Sequence, residues 1–313
     1  MRKALVIGAS GGMGYSIVKE LVSNGIEVVA FSRGAGKLEE LFGKEELVAI
    51  QPGDAENAKQ LIEAAQGCDV IFHALNIPYS QWKEKLLPIV KNILKAAEMS
   101  GAKLAVVDNI YAYGKSSAKL ITEDKAKRPH TKKGKIRLEM EQLIFNSDVP
   151  AFIAHFPDFY GPNATNTYMH YTLNQIVWKN KAGYVGPKTI AREFLLTTDG
   201  AKAMVTLALH PKAYGQNWNI PANRTITGNE LELLIKNELG EKKSLYSISK
   251  PMFAFFSLFA GKDMREGLEM QYIANEATIL SGSKYENEIG PLPRTPYEEG
   301  LRETIQYMKN GKY

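Results

Sequence analysis

The chain has 313 residues, 44% of them hydrophobic and 23% charged, with a formal net charge of +5. This length suits one large cored unit or two closely joined ones, and the composition excludes global disorder and a nucleic-acid-binding signature. The single cysteine, Cys68, excludes an internal disulfide framework and suits a reducing compartment.

In chain order, KALVIGA (3–9) is a short continuous apolar run, as expected of a strand covered on both faces. MGYSIVKELVSNG (13–25) carries Ile17, Val18, Leu21 and Val22 at helical spacing and stops at Asn24-Gly25. The same alternation continues with strands at 26–32, 46–52, 69–75, 102–108 and 149–156. Helices are predicted at 37–43, 55–67, 81–101 and 133–147. This pattern predicts an α/β fold, a doubly wound parallel sheet of Rossmann type. After Phe156 the alternation breaks, with more turns and helices at 199–210 and 227–240. The expected division is therefore 1–156 for a dinucleotide-binding part and 157–313 for a smaller substrate lobe, with segments returning to the first sheet.

MRKALVIGAS runs straight into a strand and lacks the apolar region of a signal peptide. The most apolar stretch, PMFAFFSLFAG (251–261), is about half the ~20 residues that span a membrane. It is expected to be a buried helix or an apolar wall beside a ligand, with interfacial membrane contact the weaker reading, and the protein to be cytoplasmic with no membrane partner. The basic stretch 115–137 is interrupted by Glu123 and Asp124 and reads as a solvated loop, so no nucleic-acid partner is expected. His73, His130, His155, His170 and His210 lack the mutual spacing of a metal centre, and none is expected. His73 is expected to be a hydrogen-bonded structural imidazole. A homodimer is left open.

GASGGMG places Gly8, Gly11 and Gly14 between the first strand and the first helix. Glycines there permit the tight turn, and the helix N-terminus offers free N–H groups to a pyrophosphate. At the end of the second strand stand Ser32, Arg33 and Lys37, with no acid to accept from ribose hydroxyls. Two cations there suit a 2′-phosphate, so NADP(H) is expected over NAD(H). After the third strand, Asp54 is placed to accept from the adenine amino group, with Ala55 behind it.

Read in order, GASGGMG, DVIFHAL, NIYAYG, the loop before KGK, FPDFYGP and TTDGAKAMVTLAL resemble the extended and atypical short-chain dehydrogenase/reductases, the NAD(P)-dependent epimerase/dehydratase superfamily. The resemblance covers nearly the whole chain. It implies that Ser10, Gly12, Met13, Ala74, Asn76 and Phe156 also line the cofactor. It further implies a catalytic Tyr-x-x-x-Lys pair. The lysine maps to Lys135, which would hold the nicotinamide ribose, while Thr131 fills the tyrosine position and Asn109 that of a catalytic serine. His155 stands where the family often has arginine. A threonine hydroxyl is far too weak an acid to replace a phenol of pKa ~10, so the proton must come from elsewhere. Tyr111 is the preferred substitute, with Tyr113, Tyr160, Lys132 and Lys133 as the other candidates. The expected function is an oxidoreductase or epimerase/dehydratase-like enzyme on a small carbonyl or hydroxyl compound; the alternative is a non-catalytic NADP(H)-binding redox sensor.

Overall fold

The computed structural model describes residues 1–115, 120–259 and 261–311. Strands β1 (Lys3–Ile7), β2 (Glu27–Ser32), β3 (Val48–Pro52), β4 (Val70–His73), β5 (Lys103–Asn109) and β6 (Ala151–Phe156) alternate with helices. These are α1 (Gly12–Ser23), α2 (Ala35–Phe42), α3 (Ala58–Ala65), α4 (Leu87–Ser100) and α5 (Lys132–Phe145). The second half adds β7 (Asp158–Tyr160), α6 (Tyr168–Trp178), β8 (Lys181–Val185), β9 (Phe194–Leu196), α7 (Thr197–Leu209) and β10 (Asn217–Asn219). Then come α8 (Gly228–Leu239), β11 (Ser244–Ile248), α9 (Lys250–Ser257), α10 (Lys262–Glu266), α11 (Tyr272–Asn275), α12 (Ser283–Glu288) and α13 (Tyr297–Lys309).

The central sheet has seven parallel strands in the order β10-β6-β5-β4-β1-β2-β3. Strand β1 shows why its run is unbroken in hydrophobicity. Ala4 and Val6 enter one core cluster and Leu5 and Ile7 the other, so both faces are covered. The chain reverses direction across the sheet between β1 and β4, and that switch leaves a crevice at the strand ends where ligands of such sheets bind. Residues after 156 rejoin this sheet through β10, beside β6. They also build a separate core around Tyr160, Leu173, Tyr184 and Leu231, with the small parallel pairs β7–β9 and β8–β11.

Two local departures from the sequence reading have physical causes. The predicted helix 81–101 is a 3-10 turn (Tyr79–Gln81), a π-turn (Trp82–Leu86) and then α4. Pro88, at the start of α4, has no N–H to donate into the preceding turn, which therefore widens. The apolar stretch from 251 is the second departure: within it α9 buries Phe253 and Ser257 but leaves Met252, Phe255, Phe256, Leu258 and Phe259 exposed. It is neither a buried helix nor an internal wall. Among the described residues no helix is long and apolar enough to cross a membrane.

Candidate cofactor and substrate site

The crevice begins at the glycine loop between β1 and α1. Gly8 has φ +85° and lies against the chain leaving β4, where a Cβ would meet Leu75 Cα at 2.7 Å. At Gly14 a Cβ would meet the Gly8 carbonyl oxygen at 2.1 Å, so only glycine lets α1 start this close to β1. Gly11 caps α1 without any side-chain bond, which leaves the first-turn N–H groups facing the crevice for an anionic group. Ser10 is half-buried, its carbonyl accepting from Asn163 Nδ2 at 3.0 Å, and Gly12 and buried Met13 continue the turn.

At the far end of β2, Ser32 Oγ is buried without a partner, an orphaned hydroxyl of the kind a ligand satisfies. Arg33 is exposed and Lys37 half-buried, and neither joins an ion pair among the described residues. Asp54 accepts from the Glu56 N–H (3.0 Å), and its own N–H donates to Gln60 Oε1 (2.8 Å), which pins the turn next to buried Ala55. Ala74 is half-buried and Asn76 exposed at the end of β4. Phe156 ends β6. Its side chain is fully inside the core and tilted against Phe159, leaving only its main chain for a ligand.

Helix α5 requires a correction of register. Thr131 is its N-cap, the hydroxyl accepting from Gly134 N–H at 3.0 Å, and so acts as a structural cap. Lys135 is exposed. At 100° per residue, the inward stripe runs through Lys133, Arg137, Met140, Glu141 and Ile144, all buried. The pair spaced four residues apart that faces the sheet is therefore Lys133 and Arg137, two residues on from Thr131 and Lys135. Arg137 pairs with buried Asp108 at 3.1 Å and lies over the Trp82 ring at 4.3 Å, while its Nε is buried without a partner. Lys133 Nζ meets Glu266 at 2.5 Å and stands 5.9 Å from the Tyr79 ring centre.

Facing them is the end of β5. Asn109 Oδ1 accepts from the Tyr111 N–H at 3.0 Å, which leaves its Nδ2 as a donor. Tyr111 and Tyr79 share a hydroxyl hydrogen bond of 2.6 Å. Burial, then the neighbouring Tyr79 and Tyr168 phenols, push Tyr111 well above the ordinary phenol range, so it is a weaker acid than a free tyrosine. Tyr113 donates to Asn219 at 2.9 Å and Tyr160 is packed on Tyr297, both structural placements. Near the phenols lies Asp158. Its Oδ2 is sealed from solvent and unpartnered, and burial raises its carboxyl to about 6.

Two of the histidines, His155 and His73, are internal. His155 Nδ1–H donates to the Asn109 carbonyl at 3.0 Å, and Nε2 accepts from Lys127, which also pairs with Glu141. His155 is thus part of the core and cannot anchor a substrate anion. Asp108, Glu141 and His155 come close enough to hold a cation, but the Lys127 ammonium bonds to two of them. His73 corrects another expectation, because neither of its ring nitrogens has a hydrogen-bond partner. Burial, then the nearby Arg137 charge, lowers its pKa from 6.5 to about 3. Below pH 6.5 the unfolded chain takes up a proton that the folded one refuses until about pH 3, so stability is lost as pH falls through that window. In urea unfolding at pH 7 and pH 4, His73→Leu is expected to lose about 3 kcal/mol less than the unsubstituted chain between the two conditions. Equal losses would contradict this.

A family model described as NAD(P)H-binding matches residues 8–175. Among curated proteins, a 2-alkyl-3-oxoalkanoate reductase of Shewanella oneidensis is 33% identical over 110 residues, 35% of this chain and 27% of that protein. A 4-hydroxy-2-methyl-3-oxo-4-farnesyl-3,4-dihydroquinoline-1-oxide ketoreductase of Stigmatella aurantiaca is 27% identical over 161 residues, 48% of this chain and 47% of that one. The matched stretches thus span less than half of either relative. Among solved structures, a UDP-glucuronic acid 4-epimerase from Bacillus cereus in complex with NAD superposes with TM-score 0.80 at 19% identity, covering 98% of this chain and 99% of that one. A dTDP-glucose 4,6-dehydratase from Bacillus anthracis in complex with NAD gives 0.79 at 18%, covering 99% and 97%. At these identities the likeness establishes the fold.

Proposed function

The chain belongs to the NAD(P)H-binding family, and from that footing we propose that it is an NADP(H)-dependent oxidoreductase acting on the carbonyl or hydroxyl group of a small molecule. One observation carries this reading. Two inward cations meet the residues that follow β4 and end β5: Lys133 lies over Tyr79, which shares a hydroxyl hydrogen bond with Tyr111, and Arg137 pairs with Asp108, next to Asn109. The two curated relatives are by name a reductase and a ketoreductase, which supports carbonyl chemistry.

When bound, the dinucleotide supplies or accepts the hydride. The rest falls to this chain. Arg137, held by Asp108 and with an unsatisfied buried Nε–H, would hold the nicotinamide ribose, the role the resemblance assigned to Lys135. Lys133 Nζ donates the proton to the substrate oxygen, in the place first given to Tyr111. Ammonium and phenol have similar reference acidities, ~10.4 and ~10, so a lysine can stand where a tyrosine usually does. Asn109 Nδ2 donates a hydrogen bond to the same oxygen and polarises it. Residues 1–156 hold the cofactor, and the segment from 157 onward shapes the substrate side. The alternative, a non-catalytic NADP(H) sensor, draws support from the Lys133–Glu266 ion pair, which occupies the proposed donor.

The choice of dinucleotide rests on Ser32, Arg33 and Lys37. Arg33→Ala removes a charge-assisted contact to the 2′-phosphate worth about 1.5–3 kcal/mol. Fluorescence titration should therefore show NADPH binding weakened by about 10- to 100-fold, with NADH binding nearly unchanged. An unchanged NADPH-to-NADH ratio would sink the assignment.

A further inference from the structure

We propose that α9 and the turn after it dock on an anionic phospholipid surface. Helix α9 is amphipathic in an unusual sense. Phe253 and Ser257, four residues apart, face the protein, while Phe255, Leu258 and Phe259 are 58%, 65% and 78% exposed. Phe255 packs edge-on against Phe256 and Phe259, with ring centres 6.1 and 5.5 Å apart, so the exposed side chains form one contiguous aromatic ridge. A ridge of this kind on a soluble surface marks an interaction site, whereas scattered apolar residues do not.

The neighbouring charges select the partner. The carboxylates of this segment are turned toward the protein: Asp263 accepts from the Ser80 N–H at 2.9 Å, and Glu266 and Glu269 engage Lys133 and the first turn of α5. Lys250, Lys262 and Arg265 are exposed and in no ion pair among the described residues. Aromatic side chains flanked by free cations match the apolar boundary and negative headgroups of a bilayer interface. A second copy of the chain fits worse, since a two-fold contact would bring identical cations together.

The test is sedimentation of the full chain with phosphatidylcholine vesicles, with and without phosphatidylglycerol. Binding to the anionic vesicles is expected, weakening with salt. Lys250→Gln and Lys262→Gln should each weaken it about fivefold. Phe255→Ser combined with Phe259→Ser should weaken it at least roughly tenfold, with the thermal transition retained because both positions are exposed. No binding to anionic vesicles would overturn the proposal, as would binding indifferent to all these substitutions. A dimer in light scattering that the phenylalanine substitutions dissociate would overturn it too, in favour of a second copy.

Discussion

Lys133→Met is expected to lower the rate of carbonyl reduction by about 10²- to 10⁴-fold, the usual contribution of a positioned general acid. Methionine keeps the length and apolar packing of the side chain against Tyr79 but carries no proton. Binding of NADPH should change little, because the proposed cofactor contacts are the glycine loop, Arg33 and Arg137, whereas Lys133 is paired to Glu266. The controls are Lys135→Ala and Thr131→Ala. Lys135 is exposed, and its loss should leave turnover unchanged within about twofold. Thr131 caps α5, so Thr131→Ala should cost about 1 kcal/mol of stability with turnover largely kept. A Lys133→Met protein with full turnover alongside an inactive Tyr111→Phe protein would restore Tyr111 as the acid.

The second large effect is on folding. Arg137→Met leaves the Asp108 carboxylate buried and unpaired, a change that typically destabilises by about 3–5 kcal/mol. Burial already holds the Asp108 carboxyl above its ordinary range, with Arg137 the main opposing influence. Urea unfolding should show the loss in the single variant. Adding Asp108→Asn should recover more than half of it, since the uncompensated charge is then gone. A loss below about 1 kcal/mol, or no recovery in the pair, would show that the ion pair does not hold α5 to the sheet.

The residues of the sheet explain how much of the fold was readable. Runs such as Leu5-Val6-Ile7 are apolar at every position because both faces are covered, and that pattern survives without any knowledge of partners. The glycine loop was equally legible, since Gly8 and Gly14 answer local backbone demands. Helix α5 was placed, but the cations it turns inward, Lys133 and Arg137, were not the pair the motif singled out. Counting back from Met140 and Ile144 by helical spacing reaches Lys133 and Arg137, so the signal was present; the motif register of Thr131 and Lys135 obscured it. Arg137 was not singled out for the site for that reason. Tyr79 and Asp158 were missed for a different one. Tyr79 comes from the turn after β4 and Asp158 from the start of β7, and only tertiary contact with Tyr111 and Tyr168 gives them meaning. The burial of His155 beneath Asn109 likewise depends on Lys127, from a loop far away in sequence. Of the basic stretch 115–137, residues 116–119 lie outside the described residues. The exposure of Phe255 and Phe259 had no sequence signal, because an apolar helix reads the same whether the protein covers it or not.

The most direct measurement is the absorbance of NADPH mixed with the full chain and a panel of ketones, among them 3-oxoalkanoates of increasing chain length. Ketone-dependent loss of the reduced nicotinamide absorbance is expected, abolished by Lys133→Met and slower with NADH in its place. Tight NADPH binding without turnover of any ketone, unchanged by Lys133→Met, would contradict the enzyme reading and leave the cofactor sensor in its place.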